Sequence, residues 1–411
     1  MHILIITQYF RPENFRINEI SLSLEQKGHR VTVLTGQPNY PGGSFFPGYG
    51  LFKKTRENFH GVKVLRVPVI PRGRGGSIRL ILNYLSFAAG AGLLGPFLCR
   101  DRYDVIFVYE PSPITVGLPA IVMKKIKNAP VMFWVQDLWP ETLSAVGIIN
   151  SKIMLKAVGW LVRFIYSRCD KILIQSKSFK SSIEKYTSDS EKIIYFPNSA
   201  EKLYRPLSCD FDSKQGRLMP PGFRVMFAGN IGAAQGFATI LKAADILKEY
   251  RDIHWIIIGD GRMGKWVKKE IIKLGLEETM HLLGKHPIET MPVFFSFAHV
   301  LLVTLKKDPV FSLTIPAKLQ SYLACGRPVV AALDGAGAEV VRESGAGIVS
   351  PPDDHEKLAG AVLEMYRLSE EEREKMGWKG RKYFEDYFEE NMLVGRLETW
   401  MKEIHGCKIN A

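Results

Sequence analysis

Phe223-Arg224-Val225-Met226-Phe227-Ala228-Gly229-Asn230-Ile231-Gly232, followed two alanines later by Gln235-Gly236-Phe237, leads a short apolar run through a turn of small residues into a helical pattern. A strand, a small-residue turn and a helix start bring backbone N–H groups and the positive end of a helix toward one point, a ready site for an anion. The plainer reading is a helix cap in which a glycine takes positive φ. Runs of the same kind recur at 253–258, 281–283, 299–303, 328–331 and 347–349, with helical stretches between them. An earlier series lies at 3–7, 30–35, 62–67, 105–109, 131–135 and 171–175. Strands alternating with helices predict parallel sheets.

Two series in 411 residues fit two domains rather than one core. The stretch 206–222, rich in proline and glycine and poor in periodic apolar residues, reads as the connection. The expected division is therefore 1–205 and 206–384, with a C-terminal helix at about 385–411 that either closes the second domain or packs back on the first. The five cysteines are scattered with no C-x-x-C pair, which argues against a disulfide framework or a zinc site and for a reducing compartment. The opening run His2-Ile3-Leu4-Ile5-Ile6 has no basic segment before it and reads as a first strand rather than a signal.

Charge is uneven. Residues 1–205 carry 28 Lys+Arg against 14 Asp+Glu, and the remainder 27 against 28, so the whole excess of the +13 chain sits in the first half. That half is expected to meet something anionic: a phospholipid surface, a lipid pyrophosphate or nucleic acid. Residues 80–99 hold no charge and are flanked by Arg72, Arg74, Arg79, Arg100 and Arg102. A buried helix, an interfacial helix and a membrane span all fit that pattern, and the basic flanks favour the interfacial reading over the span.

Three elements of the second half end strands and are expected to converge. The turn at Gly229, Asn230, Gly232 and Gln235 is the first, and Gly259-Asp260-Gly261 is the second, where glycines let a ligand lie against the backbone. The third is Thr314-Ile315-Pro316-Ala317-Lys318, with Pro316 suited to the first turn of a helix, so that the helix N-terminus and the Lys318 ammonium face one region. A diphosphate suits that pairing. No element matches a P-loop or a G-x-G-x-x-G fingerprint, which sets aside kinase, ATPase and simple dehydrogenase readings.

In the first half, Trp134-Val135-Gln136-Asp137-Leu138-Trp139-Pro140-Glu141 places two carboxylates and two indoles at a strand end. Asp137 and Glu141 are candidates to orient or deprotonate a hydroxyl, and Trp139 to cover the apolar face of a sugar. An N-cap aspartate with structural aromatics accounts for the pattern equally well. The loops carrying Glu13, Asn14 and Arg16, and then Asn39 and Tyr40, follow the first two strands and widen the same face. No histidine pair has metal-ligand spacing, and the only D-x-D, at Asp210 and Asp212, falls in the connection; no metal is expected. The basic half lacks the interleaved aromatic and basic residues of nucleic-acid modules.

The chain resembles, over essentially its full length, the two-domain GT-B glycosyltransferases of family 4, and within them the bacterial O-antigen and capsule branch such as fucosamine-type transferases. The likeness rests on 8–13, 28–33, 38–41, 137–141, Pro197-Asn198 and 315–328. It implies two Rossmann-like, doubly wound parallel-sheet domains facing across a cleft. It also implies a retaining, metal-independent transfer from a UDP-sugar, an N-acetylated amino sugar by the branch, with no cofactor. The acceptor would be undecaprenyl-diphosphate-linked or a glycan, reached from the cytoplasm at the inner face of the membrane, with domain closure excluding water. By the same resemblance Lys285 and His286 lie in the turn that pairs the nucleobase. Two departures stand out. Asn230 and Gln235 occupy positions where many members carry arginine and lysine, and the family's two glutamates fall on Leu313 and Ser321. Lys318, with the backbone of 229–232 and 314–317, then has to neutralise the diphosphate, and Gln320 or Ser321 to hold the ribose. The architecture also serves UDP-sugar 2-epimerases, whose acids should lie with the donor, and it would suit a binding protein that had lost activity.

Overall fold

The computed structural model describes residues 1–73, 76–145 and 151–409. It divides into two units, Met1–Pro197 with Asn391–Ala411, and Asn198–Glu390. Each is described by itself.

The first unit holds an eight-stranded sheet of β1 (His2–Ile6), β2 (Arg30–Gly36), β3 (Arg56–Phe59), β4 (Val62–Val67), β5 (Val105–Glu110), β6 (Val131–Val135), β7 (Lys171–Ile174) and β8 (Ile193–Tyr195). Their order is β3-β4-β2-β1-β5-β6-β7-β8, parallel throughout except for β3, which pairs antiparallel with β4 at the edge. The two short strands β3 and β8 were not expected. Arg56-Glu57-Asn58-Phe59 carries no apolar run, and the Ile193–Tyr195 strand is three residues long. The central strands are apolar without alternation because a parallel sheet is covered on both faces. One face packs Ile3, Ile5, Val33, Phe107 and Trp134 against Leu393, Val394, Leu397 and Met401 of the C-terminal helix.

That helix, Glu390–Ile409, therefore belongs to the first unit, while the preceding Glu370–Tyr387 helix stays with the second. Ser369 opens the latter with a capping box, its side chain accepting from the Glu372 N–H while the Glu372 carboxylate accepts from the Ser369 N–H. The division at Pro197/Asn198 lies upstream of the expected 205/206. The residues just before the expected connection already pack in the second unit: Tyr204 stacks on Phe295, and the Gln320 Nε2–H donates to the Asn198 carbonyl at 2.8 Å.

The second unit is an all-parallel six-stranded sheet of β9 (Phe223–Ala228), β10 (Ile253–Ile258), β11 (Met280–Gly284), β12 (Val300–Thr304), β13 (Val329–Ala332) and β14 (Gly347–Ser350), ordered β11-β10-β9-β12-β13-β14. Met226, Ile256 and Leu301 face one core, and Val225, Phe227 and Leu302 the other. In both units the strand order reverses, between β1 and β5 in one and between β9 and β12 in the other. Open α/β sheets gather ligands at the carboxyl ends beside such a reversal.

The Ser77–Leu98 helix is neither wholly buried nor wholly exposed. Asn83, Phe87, Ala91 and Gly95, four apart, form a buried stripe, whereas Ile78, Leu93 and Phe97 each leave more than 70% of their surface exposed. By length and composition Ile78–Leu98 is long and apolar enough to cross a membrane. Of its basic flanks, Arg74 lies outside the described residues.

Candidate active site

In the second unit, the turn after β9 and the turn after β10 grip one another. The Gly229 N–H donates to the Ile258 carbonyl and the Ile231 N–H to the Asp260 carbonyl, both at 2.9 Å. Gly229 and Gly259 have φ of 143° and 140°, and a Cβ on Gly259 would stand 1.9 Å from the Gly229 oxygen. Only glycine permits that approach. The Gly284 carbonyl, at the end of β11, accepts from the Gly259 N–H at 2.8 Å, which draws the third turn alongside. Together they border an open cleft of about 610 Å³ lined by Gly229, Asn230, Asp260, Gly261, Lys285 and His286, among others.

Lys318 lies against the first of these turns. Its Nζ donates to Gln235 Oε1 at 2.6 Å, sits 3.8 Å from the centre of the Phe227 ring and would meet a Cβ on Gly229 at 3.2 Å. Lys318 is half-buried, and burial pushes its ammonium down to about 7. Gln235 is fixed in turn: its carbonyl accepts from the Thr304 hydroxyl at the end of β12. The lysine, the glutamine and the glycine turn thus meet at the β9/β12 reversal.

Several expectations need correction here. Pro316 is not in the first turn: with ψ of 128° it is the extended N-cap, and the helix runs Ala317–Ala324. The N–H groups of Gly229, Ile231 and Thr314 are already spent on other backbone, and Pro316 has none, so those of Asn230, Gly232, Ile315 and Ala317 remain as candidates from the two loops. Thr314, Ile315, Pro316, Ala317 and Lys318, with Gly232 and Gln235, are not among the cleft's lining residues; Lys318 adjoins the cleft through Gly229. Gln320 and Ser321 are buried; Gln320 holds Asn198, and the Ser321 hydroxyl donates to the Ala317 carbonyl at 3.4 Å. Neither side chain is presented to a ribose.

In the first unit, Asp137 stands just past β6, and burial pushes its carboxyl up to about 7. Beside it Glu110, the last residue of β5 at the sheet's reversal, is fully buried and pushed well above the usual range by burial and then by the Asp137 charge. Glu110 escaped sequence reasoning; a lone acid ending the run Val-Ile-Phe-Val-Tyr was its signal. Glu141 opens the Glu141–Ala145 helix and accepts from the Tyr186 hydroxyl at 3.4 Å. Trp139 is buried and meets Tyr84 edge-on, with ring centres 6.4 Å apart.

The loops after β1 and β2 prove to be tied together rather than open. The Glu13 carboxylate accepts the N–H groups of Phe10, Asn39 and Tyr40 at 2.7–3.2 Å; burial nonetheless holds it up at about 7. Asn39 is buried, bonded to the Gln37 carbonyl and the Arg72 N–H. Glu13 and Asn39 therefore shape the loops, whereas Asn14 and Tyr40 are exposed and Arg16 is half-buried. Arg72, which composition singled out only as a flank, lies over the rings of Tyr40, Tyr9 and Tyr84 and donates to the Tyr9 hydroxyl at 2.9 Å.

Two doubly wound units of this kind, each with a polar site at its reversal, constitute a GT-B architecture, and the comparisons agree. Residues 14–199 match the family described as a glycosyl transferase 4-like domain, and residues 210–383 that of glycosyl transferases group 1. The probable glycosyltransferase WbjE of Pseudomonas aeruginosa is 28% identical over 240 residues, 57% of this chain and 59% of that protein. The putative colanic acid biosynthesis glycosyl transferase WcaI of Escherichia coli is 23% identical over 312 residues, 74% of this chain and 75% of its own. Among solved structures, Anabaena HepE in complex with UDP superposes with a TM-score of 0.71 at 16% identity, covering 98% of this chain and all of that one, a likeness of fold. The chain belongs to the GT4-like glycosyltransferases.

Proposed function

We propose that this enzyme transfers a sugar from a UDP-sugar to a lipid-linked or glycan acceptor in bacterial surface-polysaccharide synthesis, with retention of configuration and without a metal ion. The observation that carries it is Lys318, half-buried at the reversal of the second sheet and hydrogen-bonded to Gln235 beside Gly229. The cleft bordered by the three turns is open enough for a nucleotide, and WcaI and the UDP-bound HepE supply the polysaccharide and UDP parts of the reading.

As the bond from the anomeric carbon to the β-phosphate oxygen breaks, charge builds on that phosphate. Lys318 meets it with an ammonium already partly desolvated and held by Gln235, and needs little reorganisation to do so. The acceptor hydroxyl bonds to the same carbon on the same face, and its proton passes to the departing phosphate. Asp137, with Glu141 beside it in sequence, orients that hydroxyl. The carboxyl groups pushed toward neutral pKa are in the first unit, whereas Asp260 at the donor cleft is exposed and accepts from its neighbour's N–H at 2.7 Å; this favours transfer over epimerisation of the donor. The uncovered apolar residues of the Ser77–Leu98 helix, with the basic excess of residues 1–205, suit attachment to the inner face of an anionic membrane. The resemblance to fucosamine-type transferases makes a UDP-N-acetylated amino sugar the first donor to try.

A thermal-shift screen against UDP, GDP and ADP and their sugars tests the reading. UDP and one UDP-sugar should raise the melting temperature; stabilisation by GDP or ADP alone would reassign the donor, and stabilisation by none would remove the site. Incubation with the UDP-sugar alone should leave it unchanged, and an epimerised product would overturn the transferase assignment.

A further inference from the structure

The first unit contains a second concavity, of about 270 Å³, whose lining differs in kind from the donor cleft. It lies between the Ser77–Leu98 and Lys152–Tyr166 helices and is bordered by Tyr84, Leu85, Pro113, Trp139, Met154 and Val158, with almost no polar surface. Two of its lining residues, Trp139 and Thr115, each hold a buried polar atom, the indole nitrogen and the hydroxyl, with no hydrogen-bond partner among the described residues. Leaving such groups unpaired costs free energy, so a ligand oxygen at that spot would be favoured.

The Lys152–Tyr166 helix carries the complementary feature on its other side. Lys152, Lys156, Trp160 and Arg163 border a neighbouring open groove of about 830 Å³ that also reaches Pro140 and Tyr186. One helix therefore separates an apolar cavity from a cationic groove, and Trp139-Pro140, next to Asp137 and Glu141, touches both.

We infer that this pair of concavities is a binding site for a prenyl diphosphate: the cavity takes the first isoprene units of the chain, and the cationic groove takes the diphosphate. The inference rests on the reading of the enzyme as one that glycosylates a lipid-linked acceptor, and gives that acceptor's head and chain their place. Charge complementarity argues for an anionic amphiphile, and the cavity's small, apolar volume argues for one captured chain rather than a bilayer surface. Isoprene units fill it by apolar burial.

The test is calorimetric titration of the full chain with farnesyl diphosphate, below its micellar concentration, against inorganic pyrophosphate. Farnesyl diphosphate should bind at least about tenfold more tightly, since each buried methylene adds to affinity. Val158→Trp, which fills the cavity, and Leu85→Glu, which places a charge at its half-exposed rim, should each weaken farnesyl diphosphate by about tenfold or more and leave pyrophosphate binding as it was. The second variant guards against misfolding in the first, and UDP affinity reports the integrity of both. Equal affinity for pyrophosphate, or tight farnesyl diphosphate binding in both variants, would overturn the proposal. So would displacement by phosphatidylglycerol vesicles at equal lipid concentration, which would assign the face to bulk membrane, or a dimer in the ultracentrifuge that Val158→Trp dissociates. Loss of UDP binding with farnesyl diphosphate binding intact would instead count against the donor reading alone.

Discussion

The turn beside Lys318 and the turn beside Asp137 both place a polar group at the carboxyl end of a parallel sheet, and they do it with opposite materials. The second unit uses glycines: at Gly229 and Gly259 two loops approach so closely that a single methyl group would collide with backbone. The charge comes from one lysine. The first unit uses side chains, two acids at adjacent strand ends with Glu110 enclosed beneath Asp137 and indole and phenol rings around them. Burial raises the acids and lowers the lysine, so both sites hold groups poised to change protonation near neutrality. A site made of backbone tolerates little change in shape, and a site made of side chains little change in chemistry.

The contrast can be broken by substitution. Lys318→Met removes the cation whose ammonium contacts the glycine turn, and should lower turnover by about 10²- to 10³-fold with the fold intact. Asp137→Asn should lower turnover by about 10²-fold and abolish the rise in rate expected as the pH passes through 7, where the buried carboxyl loses its proton. A rate–pH profile unchanged by that substitution would return Asp137 to a purely structural role. Gly259→Ala strikes shape rather than chemistry: with φ of 140° and no room for a Cβ, it should cost about 3 kcal/mol in denaturant unfolding. Glu110→Gln should have the smallest effect on the profile. Burial alone holds Asp137 up, so its limb should stay near 7; a large downward move would show that repulsion between the two acids sets it.

How much of this was legible in the sequence follows from the same contrast. Twelve of the fourteen described strands lie where short apolar, β-branched runs predict them, because a sheet covered on both faces writes itself as such runs. The glycine turns were legible too, since few other roles demand glycine there. What the sequence does not contain is which partner each polar group finds. Glu13 has the look of a substrate contact, and turns out to bind three backbone N–H groups of its own unit. Gln320, one residue from a position where the family carries glutamate, is spent on the Asn198 carbonyl. The meeting of Lys318 with Gln235, 83 residues apart, depends on the chain's path out through β10 and β11 and back to β12, which no local pattern encodes. The C-terminal helix likewise returns to the first unit through contacts at sequence separations that periodicity does not register.

The central claim is that Lys318 is the cation that receives the donor's diphosphate. Its ammonium releases a proton at about 7 in the free enzyme, and a bound phosphate must raise that value. Binding therefore takes up a proton in the interval between the two values, and UDP affinity should fall by up to about tenfold per pH unit above 7. Calorimetric titration of UDP from pH 6 to 9, in buffers of different ionisation enthalpy, reads both the affinity and the proton. The account predicts that decline with uptake of up to one proton in the native enzyme, and weaker, pH-independent binding in Lys318→Met. Equal affinity and equal proton uptake in the two would contradict it.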